Sequence, residues 1–374
     1  MGILSKLPVK SLVRFKCVSK FWNTLISHSY LKKQHLIHAK NQLSSQKLLF
    51  IKWDPNCHFW SSSLSLVQLV KDTRIFDCPS NSYPENGITV LWNPSTRESV
   101  LLPKSSLSST HDDDIDVGST YGLAYDSTSD DYKVLEIDIN VEEDYAGCTY
   151  GLAFDPISDD YKVFRINMFR TDDNEIFALK NNASWRIIDH KISGRTDSSM
   201  LTGGEYLPFV HGAFHWLGML SRFRVVSFNI SDEMYGEISL PEIVCCLTLS
   251  KSEVEVDVGV SLLGEMLSVY YKHESFFILW VMNDYAVKDS WMNLFTIPIS
   301  TGVYRIIPTY MFSDDVVLLC FDHHYGVKPD YLYRVIFSGA FGLSDRMWPL
   351  DGAVTIDEDD CVYTESLMSP RLGH

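Results

Sequence analysis

YGLAYDSTSDDYKV, residues 121–134, returns 29 positions later as YGLAFDPISDDYKV, residues 150–163, with eleven of fourteen residues identical. Each copy reads as a hairpin: an aromatic strand, an Asp-x-x-Ser-Asp-Asp loop, then a Tyr-Lys-Val strand. Asp and Ser in such a loop bond nearby backbone amides and hold the turn. A calcium loop of the EF-hand type needs a Gly and spaced acidic ligands that this string lacks, so no metal is expected here. Around the repeat the chain continues as short runs of Val, Ile, Leu, Phe, Tyr and Trp separated by Gly, Asn, Asp, Ser and Pro. The clearest candidates are 48–53, 88–92, 209–217, 225–230, 276–282, 316–321 and 331–337. Many short strands at regular spacing read as a sandwich, a barrel or a propeller. A body of about 330 residues exceeds an ordinary sandwich and suits a mainly β propeller of several four-stranded blades. Closing such a ring also limits exposed strand edges.

The first 40 residues are a different kind of sequence. They hold eight Lys or Arg and no Asp or Glu, so residues 41–374 carry −24 of a total formal charge of −16. From Pro8 onward Leu12, Phe15, Val18, Trp22 and Leu25 recur every three or four positions. That is the spacing of one face of a helix, or of two short consecutive helices. Lys10, Arg14, Lys16, Lys20 and Asn23 fall mostly elsewhere. Ser11 or Ser19 suits a helix start, and His28-Ser29 suits a stop. The acidic body repels nucleic-acid phosphates, which argues against DNA or RNA as the main partner. A basic helical segment in front of it fits an acidic protein equally well.

With 374 residues, 45% of them apolar, the chain has room for two or three average domains, or for one repeat-built domain and a small accessory. Lys6, Lys10, Arg14, Lys16 and Lys20 interrupt any apolar leader, and no stretch approaches the ~18–20 apolar residues of a membrane span. No membrane partner is expected. The cysteines at 17, 57, 78, 148, 245, 246, 320 and 361 make no C-x-x-C pair. Adjacent Cys245 and Cys246, if on a strand, point to opposite faces. Reduced thiols in the cytoplasm or nucleus are the expected state, and the sequons at Asn182 and Asn229 are then chance matches.

Two groups of motifs resemble a known family. In the string LPVKSLVRFKCVSKFWNTLIS, residues 7–27, the segments 7–12 and 14–20, with Trp22, Leu25 and Ile26, match positions typical of the F-box, particularly its plant version. The body carries, in order, 91–97 (LWNPSTR) with Leu102-Pro103, 159–163 (DDYKV), 182–186 (NASWR), 212–216 (GAFHW) and 227–230 (SFNI) with Leu240-Pro241. Then follow 279–282 (LWVM), 289–291 (DSW) and 363–367 (YTESL). These resemble the F-box-associated, kelch-like domain of a large plant family that includes S-locus-type members. The resemblance implies a helical F-box over 1–36, connector and first strands over 37–87, a kelch-like β-propeller over 88–367 and a tail over 368–374.

Three departures from that family pattern are expected to show. An F-box usually opens with a further turn or two of helix bearing Leu-Pro-x-Glu or Leu-Pro-x-Asp, which this chain lacks. The hairpin usually occurs once, so residues 121–149 look like a tandem duplication. The Gly-x-x-Asn-Gly-Leu strand expected before Trp92-Asn93-Pro94 is missing around 80–87. A regular ring is therefore in doubt.

By that resemblance the chain is the substrate receptor of an SCF-type ubiquitin ligase. It would dock on a Skp1-type adapter, and through it on cullin and RING subunits, and would hold a protein target on the propeller loops. Leu7, Pro8, Leu12, Phe15, Val18 and Trp22 are the expected adapter-binding residues, some of them also forming the module's own core. No Walker loop, dinucleotide fingerprint, G-x-S-x-G or H-E-x-x-H occurs, so neither a catalytic set nor a cofactor is expected. His211 and His215 would share a face if 209–217 is one strand, and His323-His324 beside Asp322 would not. His215 reads as a packing residue, and Arg97 and Arg186 as residues that fix turns or strand ends. A propeller that binds its target without docking on the adapter is the alternative. A propeller enzyme, needing ionisable groups converging in a channel, is a third reading.

Overall fold

The computed structural model describes residues 2–52, 58–64, 74–76, 90–101, 118–126, 131–139, 148–167, 174–178, 185–188, 207–219, 222–245, 257–273, 275–299, 303–313, 316–323, 333–338, 347–348 and 361–369. A single 3-10 turn at Leu4–Lys6 leads into three helices: α1 (Val9–Lys16), α2 (Lys20–Ser27) and α3 (Ser29–Lys40). The apolar spacing from Pro8 thus belongs to two short helices. Ser19, not Ser11, supplies the cap, its Oγ accepting from the Trp22 amide at 3.3 Å. His28 ends α2 as expected, but its Nδ1 also accepts from the Tyr30 amide, so the next helix starts at once. The helical segment consequently runs to Lys40, past the boundary expected at residue 36.

The rest is antiparallel β. Five four-stranded sheets are ordered β24-β1-β2-β3, β11-β10-β9-β8, β12-β13-β14-β15, β16-β17-β18-β19 and β20-β21-β22-β23. In the first, β1 (Gln46–Lys52), β2 (His58–Ser63) and β3 (Arg74–Phe76) are joined by β24 (Cys361–Thr364) from the far end of the chain. The second contains β8 (Cys148–Asp155), β9 (Asp160–Asn167), β10 (Glu175–Ala178) and β11 (Arg186–Ile187). The third is β12 (Phe209–Val210), β13 (Ala213–Met219), β14 (Phe223–Asn229) and β15 (Tyr235–Ile238). The fourth is β16 (Asp257–Leu263), β17 (Met266–His273), β18 (Phe276–Met282) and β19 (Trp291–Pro298). The fifth is β20 (Val303–Ser313), β21 (Val316–His323), β22 (Tyr333–Ser338) and β23 (Met347–Trp348).

Successive sheets pack face to face through aromatic and branched side chains. Phe164 of the second sheet stacks on Phe228 of the third at 4.3 Å between ring centres, with Phe214 on the same ring at 5.8 Å. Leu217, Val225, Val258 and Val269 join the third to the fourth, and Tyr270, Phe277, Ile306 and Leu319 join the fourth to the fifth. Gly151 of the repeated string lies where a Cβ would meet the Phe214 ring at 2.4 Å. Glycine there lets the two sheets close. Consecutive four-stranded sheets, with the last strand returned to the first sheet, give the mainly β propeller expected from the sequence.

The duplication is structural as well as textual. β6 (Gly118–Asp126) and β7 (Asp131–Ile139) pair with Asp126 opposite Asp131, the register by which Asp155 faces Asp160 in the second copy. This first copy forms a two-stranded sheet of its own, with β6 alongside β8. β4 (Val90–Asn93) and β5 (Glu98–Leu101) form a second two-stranded sheet. The missing strand expected around 80–87 lies outside the described residues.

Two local expectations are corrected. The run 209–217 is not one strand: His211 (φ 51°) and Gly212 (φ 75°) make a turn between β12 and β13, so the two histidines do not alternate along a strand. Cys245 closes a one-turn helix, α4 (Glu242–Cys245), rather than sitting on a strand, because Pro241 opens it with carbonyl bonds to the amides of Val244 and Cys245.

The C-terminal strand ties the helices to this body. Gln46 pairs with Thr364 and Leu49 with Cys361. Gln46 Nε2 donates to the α3 carbonyls of Ala39 and Lys40, both at 3.3 Å, supplying the C-terminal partners a helix lacks. Just beyond β24, Asn93 Nδ2 donates to the carbonyls of Ser366 (3.2 Å) and Met368 (2.6 Å). Between those two residues Leu367, 1% exposed, enters the helical core beside Val9, Leu12, Ile26 and Leu31.

A buried charge network joins the second and third sheets. Asp155 Oδ1 accepts from the Ile157 amide at 3.0 Å and from Ser231 Oγ at 2.6 Å. Its Oδ2 accepts from Ser158 at 2.6 Å and faces Lys162 Nζ at 2.9 Å. Lys162 also donates to the Ile230 carbonyl at 2.9 Å and to Glu233 at 3.3 Å, and Arg186 pairs with Glu233. Burial pushes the Asp155 carboxyl up, but the bonds from Ser158, Ser231, Lys162 and the Ile157 amide outweigh it and hold the group well below the usual carboxylate range.

Leu367→Ala should destabilise the protein by about 2–5 kcal/mol through the cavity it leaves, with loss of helical signal leading the urea transition. An unchanged urea midpoint would show that the helices close their core without it. Asp155→Asn should cost about 3–5 kcal/mol at pH 7, because it removes the nearer and more buried of the two carboxylates that compensate Lys162. A carboxyl whose folded pKa is depressed contributes stability that is complete above its unfolded value, near pH 3.9, and is lost as pH falls below it. Urea midpoints of wild type and variant should therefore run parallel from pH 7 to 5 and converge below about pH 4.

Candidate functional site

The two short helices α1 and α2 divide their side chains among three environments. Val9, Leu12 and Ile26 are at most 2% exposed and pack with Leu31 and Leu367. Leu7 and Trp22 flank that core half-buried, and Pro8 sits exposed at the start of α1. Phe15, Val18 and Phe21 face solvent, at 37%, 66% and 70% exposure. Phe15 and Phe21 flank the Trp22 ring at 5.7 and 6.4 Å between centres. The result is an apolar surface at the junction of α1 and α2, with large side chains that no other described residue covers.

Of the six residues expected to meet a partner, Phe15, Val18 and the edge of Trp22 form this surface, with Pro8 and Leu7 at the start of α1. Leu12 does not: it is fully buried, so its place is the module's core. Phe21 is the residue the sequence reading missed. It lies beside Trp22, three positions after Val18 and four before Leu25, so it fits the spacing as well as Trp22 does. The break at residues 17–19 between the two helices exposes it, and that break carries no periodic signal.

The basic residues of α1 do not all share the apolar surface. Lys10 and Arg14, with Val13, line a cleft of about 280 Å³ against the first sheet and the turn after β4. Burial holds Lys16 below the ordinary lysine value, Glu98 of β5 partly offsets this, and Lys32 adds to it. Arg97 closes the turn 94–97, its amide donating to the Asn93 carbonyl at 2.8 Å, in a left-handed backbone (φ 62°). Asn93 Oδ1 accepts from Ser95 at 2.8 Å, so the Asn-Pro-Ser-Thr string forms the tight turn expected of it. Arg186, by contrast, bridges two sheets through Glu233.

On the sheets, His215 is fully buried. Its Nδ1 faces the Pro208 carbonyl at 3.3 Å and its Nε2 the Tyr285 hydroxyl at 2.8 Å. The carbonyl can only accept, so Nδ1 carries the proton and Nε2 accepts from Tyr285. Burial pushes His215 down to about 4, against the opposing pull of the Pro208 carbonyl. A neutral, enclosed imidazole of this kind fixes a loop, as the packing role expected for it requires. His211 stacks on the same Tyr285 ring at 4.3 Å, so the two histidines do meet, through a tyrosine rather than along a strand. Among the described residues no three His, Cys, Asp or Glu side chains converge as metal ligands.

Comparison with known proteins places these two parts. Residues 2–34 match the F-box domain family, and residues 139–320 match the F-box associated beta propeller domain family. The F-box protein CPR1 of Arabidopsis thaliana is 26% identical over 349 residues, an alignment spanning 84% of this chain and 76% of that protein. An F-box/kelch-repeat protein of the same plant is 25% identical over 400 residues, spanning 99% of this chain and 94% of its relative. The exposed apolar surface thus falls inside the F-box match, and the packed sheets from β8 to β21 make up the propeller match. The chain belongs to the F-box proteins that carry an F-box-associated β-propeller domain.

Proposed function

We propose that this chain is the substrate-receptor subunit of an SCF-type ubiquitin ligase, docking on a Skp1-type adapter through α1 and α2. The observation that carries this reading is the exposed group Phe15, Val18, Phe21 and Trp22 within the F-box match. Apolar anchors of that size, emptied of water on contact, supply most of the affinity of a protein interface. Lys20 and the other cations of the segment add steering toward an acidic adapter surface. The propeller presents its turns to a target protein, and cullin and RING subunits join through the adapter. The receptor itself forms and breaks no bond; it accelerates ubiquitin transfer by holding the target beside the transfer enzyme.

The test is titration of a purified Skp1-type adapter against the folded chain and against a Val18→Asp/Phe21→Asp variant. Both side chains are mostly solvated, so the variant should keep the wild-type melting temperature. Its affinity should fall by at least about thirtyfold, the loss of one strong anchor. Equal binding by the two proteins would move the docking surface elsewhere. A folded wild type that does not bind would leave a propeller interaction protein and overturn the ligase assignment.

A further inference from the structure

We propose that the cleft between α1 and the first sheet is a binding site for a small, soluble, phosphate-bearing anion, separate from the adapter-docking surface. Four cations from three parts of the chain line it: Lys10 and Arg14 on successive turns of α1, Lys47 on β1, and Arg97 on the turn after β4. One acid lines the same space, Glu365, which stands 3.9 Å from Lys47. Among the described residues the lining therefore sums to a formal charge of +3 in a chain whose total is −16. Like charges held on one helix face and across a narrow cleft repel each other, and a multiply charged anion converts that repulsion into attraction.

The remaining lining fits the same chemistry. Four hydroxyl residues also line the cleft: Ser61 and Tyr363, whose hydroxyls lie 3.0 Å apart, and Ser95 and Thr96 on the turn, whose oxygens accept from the Ser366 and Glu98 amides and keep their protons to donate. Phosphate oxygens accept from arginine forks, lysine ammonium groups and hydroxyls together, which a carboxylate or a neutral ligand would use less fully. The volume, about 280 Å³, falls just below the usual range of small-molecule sites and matches one or a few phosphate groups rather than a folded partner.

The location gives the ligand a consequence. An anion bridging α1, β1 and the β4–β5 turn would tie the helices to the propeller and fix the angle between adapter and target. Lys10 and Arg14 face this cleft, whereas Phe15, Val18 and Phe21 are turned to solvent. Occupancy and adapter docking are thus separable.

The experiment is calorimetric titration of the full chain with sodium tripolyphosphate at constant ionic strength. A Lys10→Glu/Arg14→Glu variant, an Arg97→Gln variant and a Lys288→Glu control, remote on the loop before β19, are titrated beside it, each with its melting temperature recorded. The proposal predicts saturable one-site binding, weakened about tenfold or more in both cleft variants and unchanged in the control. Saturation should also raise the melting temperature of the wild type. Weak binding shared equally by all four proteins would mean an adventitious anion only, and would overturn the site. Capture by phosphoinositide vesicles without binding of tripolyphosphate would place the phosphate on a membrane and overturn the soluble ligand.

Discussion

Insertion of Leu367 between the helices is the contact on which the rest of the arrangement depends. Three short helices of eight, eight and twelve residues cannot bury enough apolar surface alone, and domains this small are marginal. Here the missing core residue arrives from the opposite end of the chain. β24 pairs with β1, the Asn93 amide grips the carbonyls on either side, and Leu367 is delivered to Leu12 and Ile26. The same strand fills the first four-stranded sheet. One segment therefore completes the propeller and the F-box, and the two become a single packed body rather than beads on a linker.

That coupling explains how α1 distributes its side chains. A free amphipathic helix has two faces, but this one has three: core, solvent and body. Val9 and Leu12 serve the core, Phe15 faces solvent, and Lys10, Arg14 and Lys16 turn toward the first sheet and β5. The basic charge of the N-terminal segment therefore reads differently in three dimensions. Part of it answers the acidic body itself, and part lines a cleft, so it is not simply a steering field for an acidic adapter. The Asp155–Lys162–Glu233–Arg186 network plays the corresponding part between sheets, running from the buried Asp155–Lys162 pair out to the exposed Arg186 and pinning the turns together.

Much of this was legible in the chain. Alternating aromatic strands with polar turns gave the β class, and the Asp-x-x-Ser-Asp-Asp string gave the hairpin and the bond of its first Asp to a turn amide, but not that residue's buried pairing with Lys162 and Ser231. The 3.6-residue spacing gave the helices, because it reports which residues face away from water. It could not tell core from docking surface: Leu12 and Phe15 share one stripe, and only the position of Leu367 makes one buried and leaves the other open. Phe21 escaped because it and Trp22 fit the spacing between Val18 and Leu25 equally well, and the pattern alone does not choose between them. The turn at His211-Gly212 was read through as strand, since Gly212 sits inside an otherwise continuous apolar run. The cleft was invisible for a plainer reason: Lys10, Lys47, Arg97 and Glu365 are brought together by the return of the last strand, which no local pattern encodes.

If the F-box surface is shaped by the far end of the chain, adapter affinity must respond to a change that never touches the adapter. The most direct measurement is calorimetric titration of a Skp1-type adapter against a Leu367→Asp variant beside wild type, with circular dichroism confirming that the β body is retained. A charge in that core should loosen α1 and α2 and weaken adapter binding by at least about tenfold. Wild-type affinity in the variant would contradict the account, because the F-box would then be an independent module and its union with the propeller incidental.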